Sequence, residues 1–185
     1  MSETLETIAT EIRACTACDL HETRTQTVPG SGTSDARIVF VGEAPGAQED
    51  KRGLPFVGQA GKLLDQLLAG IGFDRDRAAI LNVIKCRPPD NRPPRKGEIA
   101  ACRHFLDRQL DVIQPQLIVT LGRFSLAQFC PKASITQVHG QVQRADGRLV
   151  YPVYHPAAAF HRSAWRQALE EDFGRIPEIL ASLQE

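Results

Sequence analysis

The apolar positions of this chain alternate between two spacings, and the changes of spacing mark out its elements. Leu5, Ile8, Ala9 and Ile12 recur at the interval of one helix face, so residues 3–13 read as an amphipathic helix. From Asp19 to Asp35 the pattern lapses into polar residues around Pro29-Gly30 and Gly32, which predicts a long loop. Arg37-Ile-Val-Phe-Val-Gly42 is a short apolar run closed by glycine, as a buried strand requires. Leu63, Leu64, Leu67, Leu68 and Ile71 return to helical spacing, ending at Gly70 and Gly72. Ala78–Lys85 is a second strand, interrupted by one polar residue, Asn82. Pro88, Pro89, Pro93 and Pro94 then force Arg87–Gly97 into an extended loop.

Ile99, Cys102, Phe105, Leu106, Leu110 and Ile113 mark the next helix, and Gln116–Gly122 a third strand with a short helix after it, through Phe129. Asp146-Gly147 predicts a hairpin turn between Gly140–Arg144 and a last strand, Arg148–Tyr154. Ser163–Leu183 is a terminal helix that Pro177 kinks or restarts. Strand–helix alternation of this kind predicts an α/β fold: a three-layer αβα sandwich around a mostly parallel four-stranded sheet, with residues 1–185 as one domain. Ligands of such sheets sit beyond the carboxyl ends of the strands. Glu43, Cys86, Gly122 and His155 fall at or just after such ends, and Asn82 in the second half of its strand.

Composition narrows the class. At 42% hydrophobic and 24% charged residues, the chain is an ordinary globular protein. Its apolar runs are far shorter than a membrane span, and its acidic start lacks the basic and apolar regions of a signal peptide. A cytoplasmic protein with no membrane partner is expected. The net charge of zero hides an asymmetry: residues 1–50 carry nine acids against three arginines, whereas residues 84–108 carry seven cations against three acids. A locally basic face can follow a phosphate backbone, although a solvated helix face has the same composition.

Five cysteines in a cytosolic chain favour metal ligands or core thiols over disulfides. Cys15-x-x-Cys18 follows the first helix, Cys86 the second strand, and Cys102 lies on the helix beyond the proline-rich loop. Four thiolates are the ligand set of structural zinc or of a [4Fe–4S] cluster. The fifteen residues between Cys86 and Cys102 are too open for a zinc knuckle and suit the larger group. Two buried thiols at Cys86 and Cys102 are the alternative, and Cys130 reads as a core or surface thiol.

Other residues have two readings each. Gly42-Glu-Ala-Pro-Gly-Ala-Gln-Glu-Asp50 makes a tight turn that presents Glu43 and Glu49 at a strand end, or simply opens a helix whose dipole favours acids. A buried Asn82 must find partners, either in a neighbouring loop or on a ligand with matching donors and acceptors. His155, before Pro156, can donate to charge developing on a leaving group or be structural. Phe56, in Gly53-Leu-Pro-Phe-Val-Gly58, can stack on a flat base or pack in the core.

Taken in order, Gly42-Glu-Ala-Pro-Gly, Leu54-Pro-Phe-Val-Gly, Asn82-Val-Ile-Lys-Cys-Arg-Pro-Pro and His155-Pro-Ala-Ala, interleaved with the cysteines, closely resemble the family 4 (iron–sulfur) uracil-DNA glycosylases. The resemblance runs from about Cys15 to the final helix. It implies a DNA-repair hydrolase that flips uracil out of single- or double-stranded DNA, cuts its N-glycosidic bond and releases free uracil, acting as a monomer. It further implies that Cys15, Cys18, Cys86 and Cys102 hold a [4Fe–4S] cluster with a structural and DNA-positioning role. Phe56 would stack on the base, Asn82 read its N3 and O4 edge, and Glu49 exclude the methyl of thymine. Gly42 would add a backbone contact, His155 would stabilise the departing uracilate through O2, and Glu43 would hold the attacking water or steady the cationic sugar. Arg87 and Arg162 are the implied DNA contacts, with Ala159–Arg162 the loop that enters the duplex.

Ala47-Gln48 departs from an acidic run common after the first of these motifs. The alternatives are a non-catalytic iron–sulfur DNA-binding protein of this fold and a relative that cross-links to uracil-DNA through a histidine in a basic insertion. Arg92–Gly97 is basic but contains no histidine, and His104 lies beyond Cys102, so turnover is favoured. A nucleotide-processing enzyme is disfavoured by the lack of a glycine-rich phosphate loop after the first strand.

Overall fold

The computed structural model describes residues 3–183. Helix α1 (Leu5–Ala14) opens on a reciprocal cap. The Thr7 N–H donates to the Thr4 hydroxyl at 3.2 Å, and the Thr4 N–H donates to the Thr7 hydroxyl at 3.0 Å. One turn, α2 (Leu20–Thr23), interrupts the polar stretch that follows. Then come β1 (Ile38–Gly42), α3 (Ala47–Arg52), α4 (Gln59–Gly70), β2 (Ala78–Asn82) and the long α5 (Lys96–Ile113). The chain continues through β3 (Leu117–Leu121), α6 (Arg123–Ala127), α7 (Ile135–Val138), β4 (Gln143–Ala145) and β5 (Arg148–Val153). It closes with α8 (Ser163–Gly174) and α9 (Ile176–Ser182).

The strands lie in the order β2-β1-β3-β5-β4, parallel except for β4. Every residue of β1, β2 and β3 is buried, which explains their continuous apolar runs. Ile38, Phe40, Ile80 and Val119 face the helices α4, α8 and α9 through Leu64, Leu68, Phe173 and Ile176. Val39, Val41, Leu81 and Ile118 face α5 through Leu106, Leu110 and Ile113. This is the expected αβα sandwich. Ile8 and Ile12 of α1 pack on Phe105 of α5, so the first helix joins the layer that carries Cys102.

Several expectations need adjusting. The sheet has five strands rather than four, because the hairpin arm before Asp146-Gly147 pairs with β5; its strand is Gln143–Ala145, not Gly140–Arg144. Strand β2 stops at Asn82 instead of Lys85. Beyond it the backbone continues to pair irregularly, Val83 and Ile84 donating to the carbonyls of Gly42 and Glu43 at 3.0 and 3.2 Å. Of the two roles expected of Pro177, it takes the restart: it lies in the first turn of α9, where its missing N–H costs nothing. The polar loop before β1 also shields an edge: Ser31 exchanges backbone hydrogen bonds with Ile80 and so covers the open side of β2. No helix among the described residues is long and apolar enough to cross a membrane.

Candidate active site

The parallel strands deliver their carboxyl ends to one rim, and a cavity of about 320 Å³ opens there. Glu43, Glu49, Phe56, Asn82 and His155 line it together. They arrive from four separate places: the turn after β1 with α3, the loop before α4, the end of β2 and the residue following Tyr154 beyond β5. Gly42 does not line the cavity but lies behind it. A Cβ there would fall inside contact distance of Asn82 Oδ1 and 2.6 Å from Phe56 Cε2, so only glycine lets the amide and the ring approach the strand.

Asn82 is 2% exposed, and its Oδ1 has no hydrogen-bond partner. A buried carbonyl oxygen without a partner is costly unless a ligand completes it. Of the two readings the sequence left open, a loop-pinning role for the side-chain oxygen therefore finds no partner. Phe56 sits in the left-handed region at φ 50°, uncommon for an aromatic residue. Arg75 holds the strained loop by donating to the carbonyls of Pro55 and Phe56 at 2.7 and 3.0 Å, while its other partner is Asp65 at 2.6 Å. The Phe56 ring lies 5.7 Å from that of His155, tilted by 30°.

The Glu49 carboxylate is committed to backbone. One oxygen accepts from Val57 and Gly58 N–H at 2.8 and 2.9 Å, the other from Gly46 N–H at 3.1 Å. It thus caps α3 and ties the Phe56 loop to it, and the side chain cannot swing aside. His155 accepts the Ala157 N–H at Nδ1, at 3.1 Å. Burial holds its pKa down at about 4, against the weaker pull of Glu49. A neutral ring whose Nδ1 accepts must carry its proton on Nε2. Glu43 has its carboxyl pushed up by burial, opposed by Arg123 at the start of α6. Gly122, with φ at 91°, places α6 so that a Cβ would lie 3.0 Å from the His155 Cβ, and so seats the histidine loop.

Of the implied DNA contacts, Arg87 is not among the residues lining the cavity; its Nε donates to Asn91 Oδ1 at 2.7 Å. Asn91 and Arg92 line the cavity instead, with Arg92 paired to both Glu98 oxygens at 2.6 and 2.9 Å. Arg162 is exposed, its guanidinium stacked 4.5 Å over Trp165, which itself stacks on Tyr154. The turn Pro156–Phe160 leads to it and leaves Phe160 49% exposed. His104 rests on Phe105 and is not among the cavity residues. Arg75, Arg92 and Arg123 carry no motif that marks them in the sequence; the basic run 92–96 is the only hint of the second.

Cys15, Cys18, Cys86 and Cys102 all line one apolar cavity between α1 and α5, and none is in a disulfide. Among the described residues no group of three or more metal-binding side chains is placed to hold a metal ion. Arg24 donates to Cys86 Sγ at 3.3 Å. Arg24, Lys85 and Glu98 share the lining with the four thiols and with apolar residues, and four thiols are a donor set that fits a thiolate-held metal group.

Residues 29–174 match the family model described as "Uracil DNA glycosylase superfamily". A type-4 uracil-DNA glycosylase of Sulfurisphaera tokodaii is 49% identical over 96% of this chain and 85% of its own. That of Archaeoglobus fulgidus is 47% identical over 98% and 96%, and that of Thermotoga maritima 49% over 84% and 82%. Together with a pocket that gathers the residues of all four motifs, these likenesses place the chain in the type-4 uracil-DNA glycosylases of the uracil DNA glycosylase superfamily.

Proposed function

We propose that this chain excises uracil from DNA by hydrolysing its N-glycosidic bond, leaving an abasic site and releasing free uracil. The observation that carries the reading is the convergence of a ring, an unpartnered amide, a neutral imidazole and a carboxylate on one cavity at the strand ends. An extruded uracil stacks on Phe56. Asn82 accepts from N3–H with its orphaned Oδ1 and donates to O4 with its Nδ2. Cytosine has an acceptor at N3 and a donor at C4, which would leave both partners unpaired, a mismatch that discriminates strongly. Glu49, fixed by three backbone donors, walls the C5 side rigidly against a methyl.

As the glycosidic bond breaks, negative charge gathers on the base and positive charge on the sugar. His155 Nε2–H donates to O2, and because the ring is neutral it stabilises the leaving anion without transferring its proton. Glu43, as its carboxylate, stands on the sugar side and holds the attacking water or offsets the cationic sugar. Arg162 and Arg87 contact phosphates, while Phe160 and its neighbours fill the space the flipped nucleotide leaves. Cys15, Cys18, Cys86 and Cys102 would hold a [4Fe–4S] cluster, which would supply a structural link between the start of the chain and α5 rather than redox chemistry.

The test is a labelled oligonucleotide with a single uracil, treated with alkali after incubation with the intact protein. Cleavage at that position is expected, along with free uracil and no persistent protein–DNA band on a denaturing gel. An unbroken strand would refute glycosylase action.

A further inference from the structure

Lys85 follows the amide-bearing strand and precedes a cysteine, yet it does not reach solvent: it is 1% exposed. Its Nζ donates to the main-chain carbonyl of Asn82 at 2.8 Å and to Gln109 Oε1 at 2.7 Å. Gln109, 3% exposed on α5, donates in turn from Nε2 to the Pro29 carbonyl at 2.8 Å. The Lys85 carbonyl accepts the Val28 N–H at 2.8 Å. A buried ammonium is expensive, and a core methionine of similar length would fill the volume without that cost. What the ammonium adds is direction. It fixes the point at which β2 ends and its irregular continuation begins, where Asn82 has no regular strand to its carboxyl side.

We propose that Lys85 is a positioning residue for base recognition: anchored on Gln109, it holds the Asn82 main chain so that the amide edge faces the base. The inference rests on the reading of Asn82 as the uracil reader. It also makes α5, the helix that bears Cys102, the reference against which the amide is aligned.

The experiment uses the intact protein and free uracil as a competitive inhibitor of uracil excision, with KM, kcat, the melting temperature and visible absorbance measured alongside. Asn82→Ala is the control for the underlying reading: if it leaves uracil inhibition unchanged, that reading fails, whatever Lys85 does. Given a sensitive control, Lys85→Met is expected to weaken inhibition by uracil about tenfold and to raise KM more than it lowers kcat, because a charged hydrogen bond within the recognition unit is lost. Gln109→Met should do the same, and the double variant should be no worse than either single one, as members of one relay are not additive. Gln109→Glu keeps the acceptor for Lys85 but gives up the donor to the Pro29 carbonyl, so it should fall between the parent and Gln109→Met in affinity for uracil. Uracil inhibition within twofold of the parent in Gln109→Met and any folded Lys85 variant, with only the melting temperature lowered, would overturn the proposal and leave Lys85 a packing residue. Should Lys85→Met fail to fold, the two Gln109 variants decide the matter alone.

Discussion

Gly42 and Asn82 are partners in the register of β1 and β2, and the amide of the second occupies the space that a side chain on the first would need. Gly42→Ala is therefore expected to displace Asn82 and the Phe56 ring together. Overpacking of this kind costs about 1–3 kcal/mol, and here it falls on the proposed recognition groups. Steady-state kinetics should show kcat/KM for uracil-DNA reduced by about a hundredfold. A variant with parental kinetics would show that the amide and ring are not used where they stand.

Asn82→Asp changes the pattern the amide presents, replacing its donor with an acceptor suited to the amino group of cytosine. Excision of uracil should fall by about 10² or more, and slow cytosine release should appear. Oligonucleotides that differ only in that base would measure both.

The pH profile follows from two groups shifted in opposite directions. The Glu43 pKa is raised by burial, so its anion disappears, as pH falls, at a higher pH than for an ordinary carboxylate. His155 stays neutral until pH approaches about 4. Activity should consequently decline on the acid side as Glu43 gains a proton, while the imidazole remains unprotonated. Glu43→Gln should lower kcat by about 10² and erase that limb, leaving only the lower one. His155→Ala should cost about 10²–10³ at every pH.

The three backbone donors on Glu49 tie α3 to the strained Phe56 loop. Glu49→Ala should lower unfolding free energy by about 2–3 kcal/mol in urea titrations, in the range of a lost charged hydrogen bond. On the proposed role of Glu49 beside C5, it should also admit thymine. Preserved thymine rejection would move that role to another residue.

Cys86→Ser or Cys102→Ser should lose visible absorbance and iron and lower the melting temperature by loosening α1 from α5. Cys130→Ser is the comparison, since Cys130 is not among the residues lining that cavity. Iron content measured against protein would separate the two cases.

Much of this architecture could be read in the chain because burial on both faces writes a strand as an unbroken apolar run. That is how β1, β2 and β3 were visible. Strand β4 does not show as a sheet strand in the sequence, because Gln143, Arg144 and Ala145 lie at a partly solvated edge and carry no apolar signal. The single turns α2 and α7 are too short for a period to emerge. Asn82 was conspicuous as the one polar residue in an apolar run. Glu49 was not legible as a brace, since its partners are main-chain N–H groups, and neither was the Arg75 hold on two carbonyls. Lys85 reads as a soluble strand end; only packing reveals that it is enclosed.

The strand order separates the two halves of the chemistry: Asn82 ends the outer strand β2, whereas His155 follows β5, with β1 and β3 between them. The distance between the proposed base reader and the proposed leaving-group donor is thus set by three strand-to-strand spacings. Catalysis is a property of the whole ladder. Fraying at either side should silence the enzyme before the middle of the sheet melts, so a partly opened molecule would be spared from cutting DNA without selection.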